Sequence, residues 1–304
     1  LDELKLIPYM QDAQLAPDRQ IRWVSSADGR NQAELARLQA ALVGYYSHNQ
    51  EYYGDSGNGM STSNWSDPNQ LGHRRIVESA HAAQKILEIG CGNGDMVRVF
   101  PNLASRYTGV DFSERLLVSN RVAVPRARFE QLGAAGKLPF GRGEFDFVFS
   151  TFVIEHAVHP ADFLDECSRV LAPGGTLIIL CPNFAGTGTI SSQRLGFGPD
   201  IGSQKWAKGR YWDALLTAWD AKVRMPLACF VVRWRNRRKP RFMINTRPTC
   251  FTDPFRPDVD AVYVTDEREI RSYLGDRFDF LKNHPSLVSY ARRVNIIFIE
   301  ARRR

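Results

Sequence analysis

Three glycines at alternate positions, Gly90, Gly92 and Gly94, follow the apolar run Ile86-Leu87-Glu88-Ile89 and precede Asp95. A strand that runs into such a turn and then a helix brings bare backbone close to a bound group. The helix start adds unpaired N–H groups and positive potential. The loop is therefore suited to a nucleotide or a carboxylate. Its spacing is G-x-G-x-G, not the G-x-G-x-x-G of dinucleotide folds. Asp111 closes the next apolar run, 107–110. An acid there accepts hydrogen bonds from both hydroxyls of a ribose, or instead caps a helix opening at Ser113-Glu114. Glu155 and His156 follow a third apolar run, 145–149, and His159 comes shortly after. A hydroxyl acceptor in a group transfer benefits from a general base, and His156 is the candidate. The alternative is that Glu155 and His156 only fix the loop by hydrogen bonds.

The elements around these residues alternate. Short apolar segments at 85–89, 107–110, 127–131, 145–149 and 176–180 read as strands. Segments 96–103, 114–122 and 161–170 read as helices between them. Repeated β-α-β units with buried strands predict an α/β fold, a doubly wound, mostly parallel sheet. A helix at 266–274 and strands at 278–281 and 295–299 complete a seven-stranded sheet. Before the first strand, helices are expected at 32–46 and 71–83, around a polar aromatic stretch, 48–69, that holds Tyr52, Tyr53 and Trp65.

Four blocks in register carry a resemblance: "ILEIGCGNGD" at 86–95, "GVDFS" at 109–113, "LPFGRGEFDFVFSTFVIEH" at 138–156 and "RVLAPGGTLIIL" at 169–180. Together, 71–182 resembles the class I S-adenosylmethionine-dependent methyltransferases of the type 11 kind. The resemblance implies a Rossmann-like sheet, S-adenosyl-L-methionine as cofactor and S-adenosyl-L-homocysteine as product. It places Gly90, Cys91, Gly92 and Gly94 on the methionine portion, with Glu88 positioning that portion through the loop. Asp111 would hold the ribose, and Phe112 would lie against the adenine. Thr151 and Phe152 would touch the cofactor near the methyl group.

The chain departs from the pattern at two places. Similar proteins read G-D-A before LPF, the Asp bonding the adenine amino group; here the segment is Gly133-Ala134-Ala135, which leaves backbone groups of Ala134 and Ala135 for adenine. Some relatives carry E-x-x-E-H and bind a divalent ion. Here Phe152 stands at the first position, so no metal is expected. Tyr52, Tyr53 and His73 precede the first strand, where such proteins close a cap over cofactor and acceptor; ordinary packing of the cap is the alternative. His159 joins them as an acceptor candidate.

The chain has 304 residues, 43% hydrophobic and 24% charged, enough for a full core without staples and too apolar for wholesale disorder. The five cysteines include no C-x-x-C pair, so reduced thiols of a cytoplasmic protein are the default. No apolar run approaches a membrane span, and no secretory signal opens the sequence. The first residue, Leu1, leaves a trimmed leader open.

Charge is uneven. Segment 183–250 holds 13 Lys and Arg against three Asp, a net +10, and the remaining 27 basic and 30 acidic residues give −3. Within the segment, Trp212, Leu216, Trp219, Val223, Leu227, Phe230 and Trp234 recur at helical steps, with Pro226 expected to kink the helix. Arg233, Arg235, Arg237, Arg238, Lys239 and Arg241 crowd the end of this stripe. Aromatic and basic residues in 212–241 fit an anionic membrane surface at the inner membrane face. The alternative is a lid helix packed on the core. RNA binding uses similar ingredients, but no RNA-binding module is recognisable and nucleic acid is not expected. Segment 258–274 resembles one seen in methyltransferases encoded with glycan-assembly enzymes.

The chain then divides into an N-terminal helical cap, 1–70; a methyltransferase core, 71–182 and 262–304; and a large basic insertion or acceptor lid, 183–261. The expected reaction is methyl transfer to a sugar hydroxyl on a glycan or lipid-linked saccharide. Methylation of another small metabolite, methylation of RNA, and a cofactor-binding module without turnover are the alternatives. Oligomeric state leaves no mark in the sequence.

Overall fold

The computed structural model describes residues 23–26, 29–48, 62–133, 136–187, 200–224, 226–227, 230–231, 234, 241–246, 248 and 260–304. In chain order the regular elements are β1 (Trp23–Ser25), α1 (Gln32–His48), α2 (Thr62–Ser66), α3 (Leu71–Ala82), β2 (Ile86–Ile89), α4 (Asp95–Val99), β3 (Tyr107–Asp111), α5 (Glu114–Ala123), β4 (Arg128–Gln131), β5 (Phe145–Thr151), α6 (Pro160–Val170) and β6 (Leu171–Pro182). Then follow α7 (Phe184–Thr187), α8 (Gly202–Ala207), α9 (Tyr211–Trp219), β7 (Met243–Asn245), α10 (Glu267–Leu274), β8 (Phe278–Phe280), α11 (Pro285–Val294) and β9 (Ile296–Arg303). They fall into two compact units, one of Leu1–Gly44, Glu155–Pro160 and Asn183–Tyr273, the other of Tyr45–Ile154, Ala161–Pro182 and Leu274–Arg304.

The second unit holds a seven-stranded sheet in the order β4-β3-β2-β5-β6-β9-β8. The pairings from β4 through β6 are parallel, while β9 runs antiparallel to both β6 and β8. The sheet is thus mostly parallel and Rossmann-like, as the alternating pattern predicts. Strands β2 and β3 are buried at every position, which explains why both are largely apolar, with Glu88, Thr108 and Asp111 as buried polar exceptions. One core cluster joins Ile76 and Ala80 of α3, Ile86 of β2, Phe147 and Phe149 of β5, Ile178 and Leu180 of β6, Leu287 and Tyr290 of α11 and Phe298 of β9. Arg75 of α3 grips Glu300 of β9 with two hydrogen bonds of 2.9 and 2.6 Å.

Some elements differ from the sequence pattern. The helix expected at 96–103 ends at Val99, because Pro101 has no N–H to continue it; a 3-10 turn, Pro101–Arg106, follows. Strand β6 starts well before the expected 176, through Pro173 and Gly174, whose φ of +76° bends the backbone there. Helix α11 lies between the last two strands, opened by Pro285 and by the His284 side chain, whose Nδ1 accepts the Ser286 N–H.

The first unit has a two-stranded antiparallel ribbon of β1 and β7, with Val24 opposite Ile244. Tyr263 bridges to Ile244, and the Asn245 N–H donates to the Val262 carbonyl at 2.7 Å. Phe184, Ala185, Ala261 and Val264 form a small core there. Glu269 of α10 accepts the Arg241 N–H and the Tyr263 hydroxyl, at 3.0 and 3.1 Å. The amphipathic stripe at 212–234 is no single regular helix: α9 stops at Trp219 and passes into a π-helical turn, Asp220–Arg224, ahead of Pro226. Its aromatic side chains face outward rather than into a core.

Candidate active site

The strand order reverses at β2, which has β3 on one side and β5 on the other. In open α/β sheets, ligands bind outside the carboxyl ends of the strands at such a switch point. The loop after β2 stands there with Gly90, Cys91, Gly92 and Gly94, and Phe152 follows the neighbouring β5.

After β2, Gly90, Gly92 and Gly94 have φ of +74°, +48° and +67°. Other residues rarely adopt this region. A Cβ on Gly90 would also lie 2.3 Å from Cγ2 of Val153 in the loop after β5. The turn is tied down from within. The N–H groups of Gly90 and Cys91 both donate to the Val110 carbonyl, and Gly94 N–H donates to the Cys91 carbonyl. Asn120 of α5 donates to the Gly92 carbonyl at 2.8 Å, and Arg98 holds Asn120 Oδ1 at 2.9 Å.

Asp111, at the end of β3, is buried. Its Oδ2 accepts the Gly92 N–H at 2.9 Å and its Oδ1 the Ser113 N–H at 3.0 Å. The bond to Ser113 is the helix-start contact that the sequence offers as an alternative role. Each oxygen has a second lone pair, so the same carboxylate can serve the loop and two further donors. Burial raises the Asp111 carboxyl above its ordinary value, and the backbone donors at Ser113, Gly92 and Phe112 oppose this. Phe112 is half-buried, its carbonyl held by Gln131 Nε2 at 3.1 Å.

Glu88 points inward from β2 and accepts the Tyr107 hydroxyl. Burial lifts its carboxyl from 4.5 to about 8; the Tyr107 bond opposes this, and Asp95 and Asp111 add to it. Cys91 is a buried thiol whose pKa burial pushes up, so it is no nucleophile. Ala134 and Ala135 lie outside the described residues. Gly133 and Gly136 on either side face open space, since a Cβ on either would meet nothing within 4 Å. The LPF segment that follows is anchored by Arg169, which donates to the carbonyls of Leu138 and Phe140 at 2.9 and 2.6 Å.

At the end of β5, Thr151 is buried. Phe152 has φ of +56°, a genuine outlier for a bulky side chain, while its N–H donates to the Leu180 carbonyl at 2.8 Å. Such strain collects at ligand sites. His73 of α3 packs edge-on against Trp65 with ring centres 4.8 Å apart, and its ring lies 6.4 Å from that of Phe152. Burial lowers His73 to about 4, so the ring is neutral. Its Nδ1 is buried with no hydrogen-bond partner among the described residues. Tyr52 and Tyr53 lie outside the described residues.

In the first unit, His156 ends a 3-10 turn, Ile154–His156. Its Nδ1 stands 3.2 Å from Oδ2 of the buried Asp260, and its Nε2 is 4.0 Å from Glu155 Oε1. The Glu155 carbonyl accepts the N–H groups of Val262 and Tyr263, both at 2.8 Å, which staples the segment after Asp260 to this turn. Asp260 is the residue that the sequence reading misses, since nothing local marks it. His159 is half-buried in the loop before α6. Among the described residues, no group of three or more His, Cys, Asp or Glu is placed to hold a metal ion.

Comparison with known proteins bears on the same segment. Residues 87–179 match a family model described as a methyltransferase domain. A probable S-adenosylmethionine-dependent methyltransferase of Mycolicibacterium smegmatis is 32% identical over 126 residues, 41% of this chain and 48% of that protein. A ubiquinone biosynthesis O-methyltransferase of Caulobacter sp. is 33% identical over 103 residues, 33% of this chain and 41% of the other. The chain thus spans about half or less of the length of these relatives. Among solved structures, an S-adenosylmethionine-dependent methyltransferase from Mesorhizobium loti aligns over 79% of this chain and 100% of its own, at 16% identity and a TM-score of 0.47. Residues 87–179, set in a mostly parallel Rossmann-like sheet, are a methyltransferase domain of the class I kind.

Proposed function

We propose that the protein transfers a methyl group from S-adenosylmethionine to an acceptor oxygen, a hydroxyl of a saccharide carried on a glycan or a lipid. The observation that carries this reading is the positive-φ glycine loop beside Asp111, at the switch point of the sheet. The donor set suits the cofactor. Asp111 has spare lone pairs for the ribose hydroxyls, and Gly90, Gly92 and Gly94 admit the methionine portion against bare backbone. Phe112, with the backbone at Ala134 and Ala135, serves the adenine. Cys91 lines the loop, Glu88 steadies it, and Thr151 and Phe152 would contact the cofactor near its methyl group.

When bound, the cofactor supplies a methyl carbon on a sulfonium, whose C–S bond breaks as the acceptor oxygen bonds to it. The chain's own work is to hold both partners in line, which supplies much of the acceleration, and to take one proton. His156 accepts the acceptor's hydroxyl proton at Nε2. Asp260, beside Nδ1, favours the tautomer with its proton on Nδ1 and balances the imidazolium that forms. His73 offers a neutral, buried Nδ1 as an acceptor for a substrate hydroxyl, and His159 flanks the same loop in sequence. An oxygen acceptor agrees with the O-methyltransferase among the relatives.

The test is transfer of radiolabel from S-adenosylmethionine in a lysate of the source organism, followed by fractionation. Label in organic-soluble or polymeric saccharide is expected. Label released by nuclease would assign an RNA acceptor instead, and label in a small non-saccharide product would assign another metabolite. No transfer to any fraction, with the cofactor still bound, would leave a binding module without turnover.

A further inference from the structure

Helices α8 and α9 form a short hairpin in the first unit, turned at Gly209, where φ is +74°. Its polarity is inverted. On the inner side, Ala214 and Thr217 are buried, with Lys205 donating to Thr217 Oγ1 at 3.0 Å. On the outer side, Trp212 is 78% exposed and Trp206, Tyr211, Leu215 and Trp219 are each half exposed or more. Trp212, Leu215 and Trp219 recur at steps of three and four, so they line one face of α9. Trp206 packs edge-on to Tyr211, the ring centres 4.9 Å apart, which continues the patch across the turn. A contiguous aromatic patch facing solvent marks an interaction surface.

We infer that this face of the α8–α9 hairpin seats the protein on an anionic lipid surface, the helix lying in the headgroup plane. Three features favour a bilayer over another macromolecule. Trp and Tyr, apolar rings with a polar edge, are the residues that settle at membrane–water interfaces. Segment 183–250 carries a net +10 in sequence, which complements anionic headgroups; its run Arg237-Arg238-Lys239 lies outside the described residues. The nine residues of α9 give a helix about 14 Å long, suited to lie in the interface and far too short to cross it. Among the described residues no helix is long and apolar enough to span a membrane. The inference deepens the saccharide reading, on which it rests for its purpose: a surface-seated enzyme meets an acceptor carried on a lipid.

The test is co-sedimentation of the full chain with vesicles of phosphatidylglycerol mixed into phosphatidylcholine, against vesicles of phosphatidylcholine alone. Binding is expected to be about 10-fold or more tighter to the anionic vesicles and to weaken with salt. A Trp212→Ser, Trp219→Ser double variant should lose about 10-fold in vesicle affinity. Both side chains are exposed, so the fold should survive, and unchanged affinity for S-adenosylhomocysteine checks this. Wild-type protein that stays in the supernatant with anionic vesicles overturns the inference. Equal vesicle binding by the double variant does so too. So does a dimer that the double variant dissociates, or RNA retention that it abolishes, without vesicle binding. Vesicle binding is read without methyl transfer, so its failure is distinct from failure of the proposed activity.

Discussion

Nδ1 of His156 lies 3.2 Å from Oδ2 of Asp260, and the backbone bonds from Val262 and Tyr263 to the Glu155 carbonyl hold the two segments together. In Asp260→Asn an amide replaces the carboxylate and can offer its NH2 group to Nδ1, which favours the tautomer with the proton on Nε2. We expect kcat to fall about 10- to 100-fold, the lower part of what a general base contributes. The dissociation constant for S-adenosylhomocysteine should not change. A parallel loss of cofactor affinity would make the pair a structural tie instead.

Glu88 predicts a pH dependence of stability. Its folded-state pKa of about 8 stands above the ordinary 4.5, so the folded state holds the proton more tightly than the unfolded one. The stabilisation is complete below pH 4.5 and is lost as pH rises through 8. Between pH 6 and 8 this costs about 2 kcal/mol. Glu88→Gln should lack that loss, and denaturant midpoints at the two pH values for both proteins measure it. Parallel pH dependence would mean that Glu88 is ionised across the range.

Gly90→Ala meets two separate obstacles, a φ of +74° and Val153 Cγ2 at 2.3 Å. We expect at least about 1 kcal/mol of lost stability from the backbone conformation alone, and cofactor affinity lowered at least 10-fold. Adding Val153→Ala should relieve the clash but not the backbone strain, so the double variant should recover only part of the loss. Full recovery would show that the loop tolerates a side chain at position 90.

His73→Leu separates stability from function. The substitution removes a buried nitrogen that has no partner among the described residues, and it should stabilise the fold by about 1 kcal/mol. If His73 receives a substrate hydroxyl, the same variant should raise the acceptor KM about 10-fold or lower kcat by a similar factor. Thermal melting and steady-state kinetics read the two effects. A more stable variant with unchanged kinetics would confine His73 to packing.

The sheet was legible because β2, β3 and β5 are almost wholly buried, and burial leaves an apolar run that few other elements mimic. The glycine loop was legible because its backbone needs a residue type that little else requires. Other parts are written in distant partners. Strands β1 and β7 are three residues each and exist by pairing with each other. The early part of β6 was hidden because Pro173 and Gly174 are residues that strand interiors disfavour. Asp260 reaches His156 only because residues 262 and 263 bond back to the Glu155 carbonyl, a contact with no local periodicity. The outward direction of Trp212 and Trp219 was also invisible, since a helical stripe has the same spacing whether it faces a core or solvent.

The most direct measurement is calorimetric titration of the full chain with S-adenosylhomocysteine, beside an Asp111→Asn variant. Asparagine keeps one side-chain oxygen for the loop but loses the carboxylate proposed to accept from two ribose hydroxyls. We expect saturable binding by the wild-type protein and an affinity at least about 10-fold lower in the variant. No heat of binding in the wild-type protein, or equal affinity in the two, would contradict it.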